Sequence, residues 1–188
     1  MTLPSQALHT TSTADATRAH VTPDRATVRR LFEQGDLVPV YRTLLADLET
    51  PVSVFLKLTQ ANTVSFLLES VEGGEQIGRY SFLGVQPKGV LTVQGTTVRV
   101  TRHGNTTERP LGPGEDALQA IAQEFERVRP VKLEGLPRFI GGAVGYLSYD
   151  IVRAIEQLPD TATDDLGLPD AAFMLADTLV IFDHAKHR

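Results

Sequence analysis

Ser65-Phe66-Leu67-Leu68-Glu69-Ser70 and, nine residues on, Arg79-Tyr80-Ser81-Phe82-Leu83-Gly84 are the stretches on which the reading of this chain turns. Each has the apolar and aromatic content of a short strand. The first ends by setting a carboxylate beside a hydroxyl. The second opens with a guanidinium, a phenol and a hydroxyl in consecutive positions. Two such strands side by side line a small polar pocket above an apolar floor. The loop between them holds Gly73, Gly74 and Gly78, which leaves it able to cover that pocket. A carboxylate at the edge of a core holds an ammonium, and hydroxyls or backbone N–H groups hold a carboxylate. An amino acid suits both. In the plainer alternative Glu69 and Ser70 merely end a strand, and Arg79 pairs with Glu69 as exposed ions commonly do. The wholly apolar Phe66-Leu67-Leu68 ahead of Glu69 favours the pocket.

Working outward, strands and helices come in groups. Val52 to Leu58, Val64 to Glu69 and Tyr80 to Gly84 read as three strands. Gly89 to Val93 and Thr96 to Thr101 read as a hairpin about Gln94-Gly95. Glu115 to Arg129 is the clearest helix, with Leu118, Ile121, Ala122, Phe125 and Val128 at helical spacing and Glu124 facing away. A first helix runs from Thr22-Pro23-Asp24 to Gly35, with Thr22 as its cap. Arg42 to Leu48 suggests a short helix carrying Leu44, Leu45 and Leu48. Asp150 opens another, ended by Pro159. Ala171 to His184 is one long apolar strand, or a strand pair with Asp177 inside it. Grouped rather than alternating elements imply an α+β fold, a largely antiparallel sheet with flanking helices. Residues 1–23, rich in Thr, Ala and Ser, read as a disordered leader, and 24–188 as one domain.

Composition narrows the function. The 188 residues are 41% hydrophobic and 22% charged, which is ordinary for a globular domain. A net charge of −5 without a dense basic block gives no footing for nucleic acid. No apolar run is long enough for a membrane span, and the leader has no signal-peptide core. The absence of cysteine excludes a thiolate nucleophile and a disulfide frame, and fits a reducing cytoplasm.

Other clusters read as structural. Gly141-Gly142-Ala143-Val144-Gly145 matches neither phosphate-loop pattern, and glycines at alternate strand positions mark close backbone approach or a bend. Asp150, Arg153 and Glu156 recur every three residues and read as an ion-pair ladder. The histidines are scattered; His184 and His187 alone sit close, and two on a chain end do not make a metal site. No nucleophile–base set can be assembled. The sequence thus offers no catalytic residues and no metal ligands.

The ordered set Val38-Pro39-Val40-Tyr41-Arg42, Thr50-Pro51-Val52-Ser53, Phe66-Leu67-Leu68-Glu69-Ser70, Gly78-Arg79-Tyr80-Ser81-Phe82-Leu83-Gly84 and Gly141-Gly142-Ala143-Val144-Gly145-Tyr146 resembles the N-terminal region of anthranilate synthase component I. Tyr149-Asp150, Arg153, Glu156, Leu158-Pro159 and Leu168-Pro169-Asp170 continue the pattern. The resemblance implies a partial domain of the chorismate-utilising enzyme fold. It implies conversion of chorismate and ammonia to anthranilate and pyruvate for tryptophan synthesis, with ammonia delivered from glutamine by an amidotransferase subunit. It also implies Mg2+ in the whole enzyme, with ligands outside this chain, and an absent C-terminal chorismate-binding domain as further partner. L-tryptophan is the implied inhibitor, at Glu69, Ser70, Tyr80 and Ser81, with Ser70 at the centre and Pro39 closing the same pocket. Two alternatives stand beside this: the corresponding part of the aminodeoxychorismate synthase component of folate synthesis, and a stand-alone amino-acid-binding module. The apolar strand before His184 and the turn-like tail after it read as a hairpin cut short, which leaves an open strand edge.

Overall fold

The computed structural model describes residues 20–59, 64–69, 78–126, 128–159, 161 and 163–188. Helices α1 (Arg25–Leu31) and α2 (Pro51–Leu58) precede strands β1 (Ser65–Leu68), β2 (Tyr80–Val85), β3 (Gly89–Gln94), β4 (Thr97–Arg102) and β5 (Asn105–Pro110). Helix α3 (Ala117–Glu126), β6 (Gly142–Leu147), a 3₁₀ helix (Tyr149–Ala154), β7 (Ala171–Ala176) and β8 (Leu179–Asp183) complete the chain. The strands form two antiparallel sheets, one ordered β1-β2-β8 and one ordered β5-β4-β3-β7-β6. The fold is α+β, as the grouped elements imply. Among the described residues, no helix is long and apolar enough to cross a membrane.

Two cores hold the elements together. Leu91, Val93, Val98, Val100 and Ala171 pack under Ala117 and Ala120, so α3 closes one face of the five-stranded sheet. The second core joins the two sheets: Phe66 sits with Met174 and Ala176, and Phe82, Phe139, Val144 and Leu179 surround them. Phe139 meets the edge of Phe82 at 5.4 Å and lies 6.5 Å from Phe66. The chain passes from one sheet to the other through Asp177 and Thr178, so the long apolar segment is a pair of strands with Asp177 between them.

Gly84 is a steric requirement of this junction. A Cβ there would come within 2.2 Å of the Phe66 ring, which lies across the backbone of its own cross-strand partner. The glycine run at β6 behaves similarly. A Cβ on Gly145 would sit 1.9 Å from the Ala172 carbonyl oxygen, and Gly141 and Gly142 take φ of 148° and 130°. Close approach and a bend explain these glycines without a phosphate.

Several elements differ from their sequence expectation. Residues 52–58 are helical, not a strand. Thr50 Oγ1 accepts from Ser53 N–H at 3.0 Å, Ser53 Oγ accepts from Thr50 N–H at 2.9 Å, and Pro51 occupies the first turn. This capping box outweighs the strand-like Val52 and Val54. The N-cap of α1 is Asp24, which accepts from Thr27 N–H, while Thr22 pairs its backbone with Tyr41 instead. No helix forms at Arg42 to Leu48; Leu44, Leu45 and Leu48 are exposed, and Ala46 N–H donates to the His187 carbonyl. In α3 the buried face is set by Ala117 and Ala120, while Ala122 and Val128 are exposed. Glu124, expected to face away, turns in to pair with Arg102 at 2.6 Å. The β5 strand, polar throughout, went unforeseen; it pairs along β4 through the His103-Gly104 turn.

Replacing Gly84 by alanine forces the Phe66 ring out of place, and overpacking of this kind costs about 1–3 kcal/mol. Urea unfolding of Gly84→Ala should show that loss, with partial recovery when Phe66→Leu is added. Unchanged stability would contradict the packing described.

Candidate functional site

β2 is the central strand of the three-stranded sheet, with β1 on one side and β8 on the other. Strand alternation divides its side chains between two faces. Tyr80 and Phe82 lie on the face turned to Phe139, their rings 6.1 Å apart, while Ser81 and Leu83 lie on the other and are buried. Helix α2 lies against β1 and β2. Tyr80 and Ser81, adjacent in sequence, therefore face opposite sides of the sheet.

The β1–β2 register places Leu68 opposite Phe82, so the next residue, Glu69, comes abreast of Ser81. Glu69 is exposed and has no ion pair among the described residues. Ser70 lies outside the described residues. Pro39 is half-buried in the segment between two backbone bridges, Leu37 with Pro130 and Tyr41 with Thr22. The structure thus carries Glu69, exposed, one place beyond the last β1–β2 pair, keeps the Ser81 side chain buried, puts Tyr80 on the reverse face, and sets Pro39 on a separate segment.

Arg79 does not pair with Glu69. Its Nε and terminal nitrogen donate to the two carboxylate oxygens of Asp183 at 3.1 and 3.0 Å, a two-pronged bridge from the start of β2 to the end of β8. The guanidinium carbon also lies 4.9 Å from the centre of the Tyr80 ring. Arg188 approaches the same carboxylate at 3.7 Å. One position beyond the end of β8, His184 Nε2 and Ser81 Oγ are hydrogen-bonded at 2.8 Å. The Ser81 hydroxyl, fully buried, is thereby satisfied. The His184 ring stacks near Phe182, and its backbone N–H donates to the Arg79 carbonyl.

Asp183, Arg188 and His184 were not foreseen as parts of this cluster. The available signal was an aspartate ending an apolar strand, since a carboxylate buried there needs a cation. The Arg79 guanidinium holds the Asp183 carboxyl below its ordinary range, against the opposing effect of burial, and Arg188 and Lys186 add to the lowering.

The other polar clusters are occupied by their own partners. A cavity of about 210 Å³ lies between β4, β5 and α3, far along the sequence from β1 and β2. Its charges are matched: Arg102 with Glu124, Arg99 with Glu108, and Arg109 with Glu115. Glu115 takes two bonds from Arg109 and one from Gly112 N–H, which lower its pKa to about 2. Asp150 pairs with Arg153, whose guanidinium also reaches the carbonyls of Leu158 and Pro159, stapling the turn after the 3₁₀ helix. Among the described residues, no three His, Asp or Glu side chains converge to hold a metal ion.

Anthranilate synthase component 1 of Synechocystis is 41% identical over 170 residues, covering 89% of this chain and 33% of that protein. Its counterpart in Pseudomonas aeruginosa is 44% identical over 159 residues, covering 82% of this chain and 32% of that protein. The chain is related to anthranilate synthase component 1. The Mycolicibacterium smegmatis protein of that name is 38% identical over 178 residues, 92% of this chain and 33% of its own length. The chain spans about a third of the length of these curated relatives. Among solved structures, anthranilate synthase component I of Streptococcus pneumoniae aligns with a TM-score of 0.44 and 22% identity over 79% of this chain and 30% of that one. No family model matches.

Because the folded pKa of Asp183 is depressed, its contribution to stability is full above the ordinary Asp value near 4 and fades as pH falls below it. Asp183→Asn should lower Tm at pH 7, and the gap between parent and variant should narrow towards pH 3. A gap independent of pH would contradict the ion-pair assignment.

Proposed function

We propose that this chain is the tryptophan-sensing part of an anthranilate synthase component I. The reaction proposed for the whole enzyme takes chorismate and ammonia to anthranilate and pyruvate, a carbon–oxygen lyase step. An amidotransferase subunit supplies the ammonia from glutamine. The observation that carries this reading is the similarity at 38–44% identity to proteins of that name, extending over most of the chain. In this reading the Mg2+ of the whole enzyme is held by ligands outside this chain.

The effector site is placed at the open end of β1. There Glu69 is exposed, lacks an ionic partner among the described residues, and follows an apolar strand whose Phe66 is buried. In this reading its carboxylate takes the ammonium of L-tryptophan, and Ser70 takes the ligand's carboxylate. Ser81 and Tyr80 act from β2: Ser81 through its bond to His184, and Tyr80 through the Arg79 guanidinium beside its ring. Pro39, on the segment between the Leu37–Pro130 and Thr22–Tyr41 bridges, is proposed to close the site on ligand binding. Burial of an indole needs an apolar wall, which α2 and β1 are positioned to share.

Calorimetric titration of L-tryptophan tests this assignment. Ser70→Arg fills the site with a bulky cation that also repels the ligand ammonium. Glu69→Gln removes the ammonium's counter-charge, and each should weaken binding by about tenfold or more. Parent-like affinity in both variants would overturn the placement.

A further inference from the structure

His184 leans from the end of β8 onto the neighbouring strand. Its Nε2 lies 2.8 Å from Ser81 Oγ, so the ring sits over β2. Ser81 is fully buried, whereas His184 is exposed. One edge of the imidazole is thus committed to the hydroxyl beneath it, and Nδ1 has no hydrogen-bond partner among the described residues. The ring stacks near Phe182 at 6.4 Å, and the His184 N–H donates to the Arg79 carbonyl, so both ring and backbone are held.

The same sheet face carries Glu69. Ser81 pairs with Phe182 across β2 and β8, and alternation puts His184 on the face of Phe182. Leu67 pairs with Leu83 across β1 and β2, and alternation puts Glu69 on the face of Leu83 and Ser81. Neighbouring strands lie about 4.8 Å apart, so a ring over β2 is roughly one strand from the end of β1. The other charges around it are mostly engaged. Arg79 and Arg188 are directed at Asp183, and Lys57 of α2 pairs with Glu49. Lys186 and His187 follow in the turn after β8, and Asp47 lies next to Ala46, whose N–H bonds the His187 carbonyl. Glu69 has no ionic partner among the described residues.

We propose that His184 binds the carboxylate of the amino acid whose ammonium Glu69 holds, and that occupancy is thereby coupled to protonation of its imidazole. The inference rests on the effector site proposed above and adds the cation that recognises the ligand's second charge. With Nε2 directed at Ser81, the imidazolium presents Nδ1–H to the carboxylate, where Ser70 offers a neutral hydroxyl. Ser81, buried, is a positioning residue that fixes which edge of the ring faces the ligand. Histidine changes charge between pH 5 and 8. Protonation adds a positive charge beside the bound carboxylate, so the ligand binds more tightly as pH falls through that range, and binding takes up a proton.

Calorimetric titration of L-tryptophan in phosphate and in MOPS, two buffers of different ionisation enthalpy, tests this. At pH 6.5 the apparent binding enthalpy of the parent should differ between the buffers, reporting proton uptake, and affinity should fall about fivefold from pH 6 to pH 8. His184→Gln keeps a polar partner for Ser81 but cannot titrate. It should bind equally in both buffers and with one affinity at both pH values, while His187→Gln keeps the parent's dependence. Buffer-independent enthalpy in the parent would overturn the inference, whether or not the His184 variant folds. Proton uptake that survives in His184→Gln would also overturn it, leaving the sensing assignment in place. Absence of binding at every pH would overturn the sensing assignment itself, and this inference with it.

Discussion

The ring of Phe66 occupies the space that a side chain on Gly84 would need, and the junction of the two sheets is built around that contact. With Phe66 across Gly84, β1 can pair with β2 only so that Leu68 meets Phe82 and Glu69 arrives beside Ser81. A slip of one residue would send Phe66 and Leu68 to the opposite face and strand the aromatic cluster about Phe139. The position of the one exposed carboxylate in the opening motif is thus a consequence of core packing. It depends on a glycine fifteen residues away in the sequence.

Polar contacts then fix the other flank of β2. The Arg79–Asp183 bridge and the Ser81–His184 bond join the same two strands at neighbouring positions, one on each face of the sheet. Leaving either buried group unpaired would be costly, so β2 and β8 are held in one register as firmly as β1 and β2 are by the aromatic contact. A site at the end of β1 therefore rests on a strand that is restrained from both sides.

Much of this was legible in the sequence. The strands at Ser65 and Tyr80, the Gly95 hairpin and the α+β grouping all follow from local alternation and turn residues, which act over a few positions. What failed had a physical cause in each case. At Pro51–Leu58, two backbone–side-chain bonds of the Thr50/Ser53 box outweighed the branched side chains that suggested a strand. In α3, the small Ala117 and Ala120 let the helix approach the sheet closely, which rotated the expected face and brought Glu124 to Arg102. The partner of Arg79 could not be read because it lies 104 residues away. Nor does adjacency in sequence reveal that Tyr80 and Ser81 look in opposite directions; a period of two does, once the strand is known to be central. Ser70, the centre of the sequence expectation, lies outside the described residues.

The most direct measurement is the chemical shift of the Gly84 α-protons, with their nuclear Overhauser contacts to the Phe66 ring. A ring seated over the glycine predicts strongly upfield-shifted α-protons, clear contacts to the Phe66 aromatic protons, and loss of both in Phe66→Leu. Ordinary strand shifts at Gly84, without contacts to Phe66, would contradict the packing from which the register of β1 and the placement of Glu69 are derived.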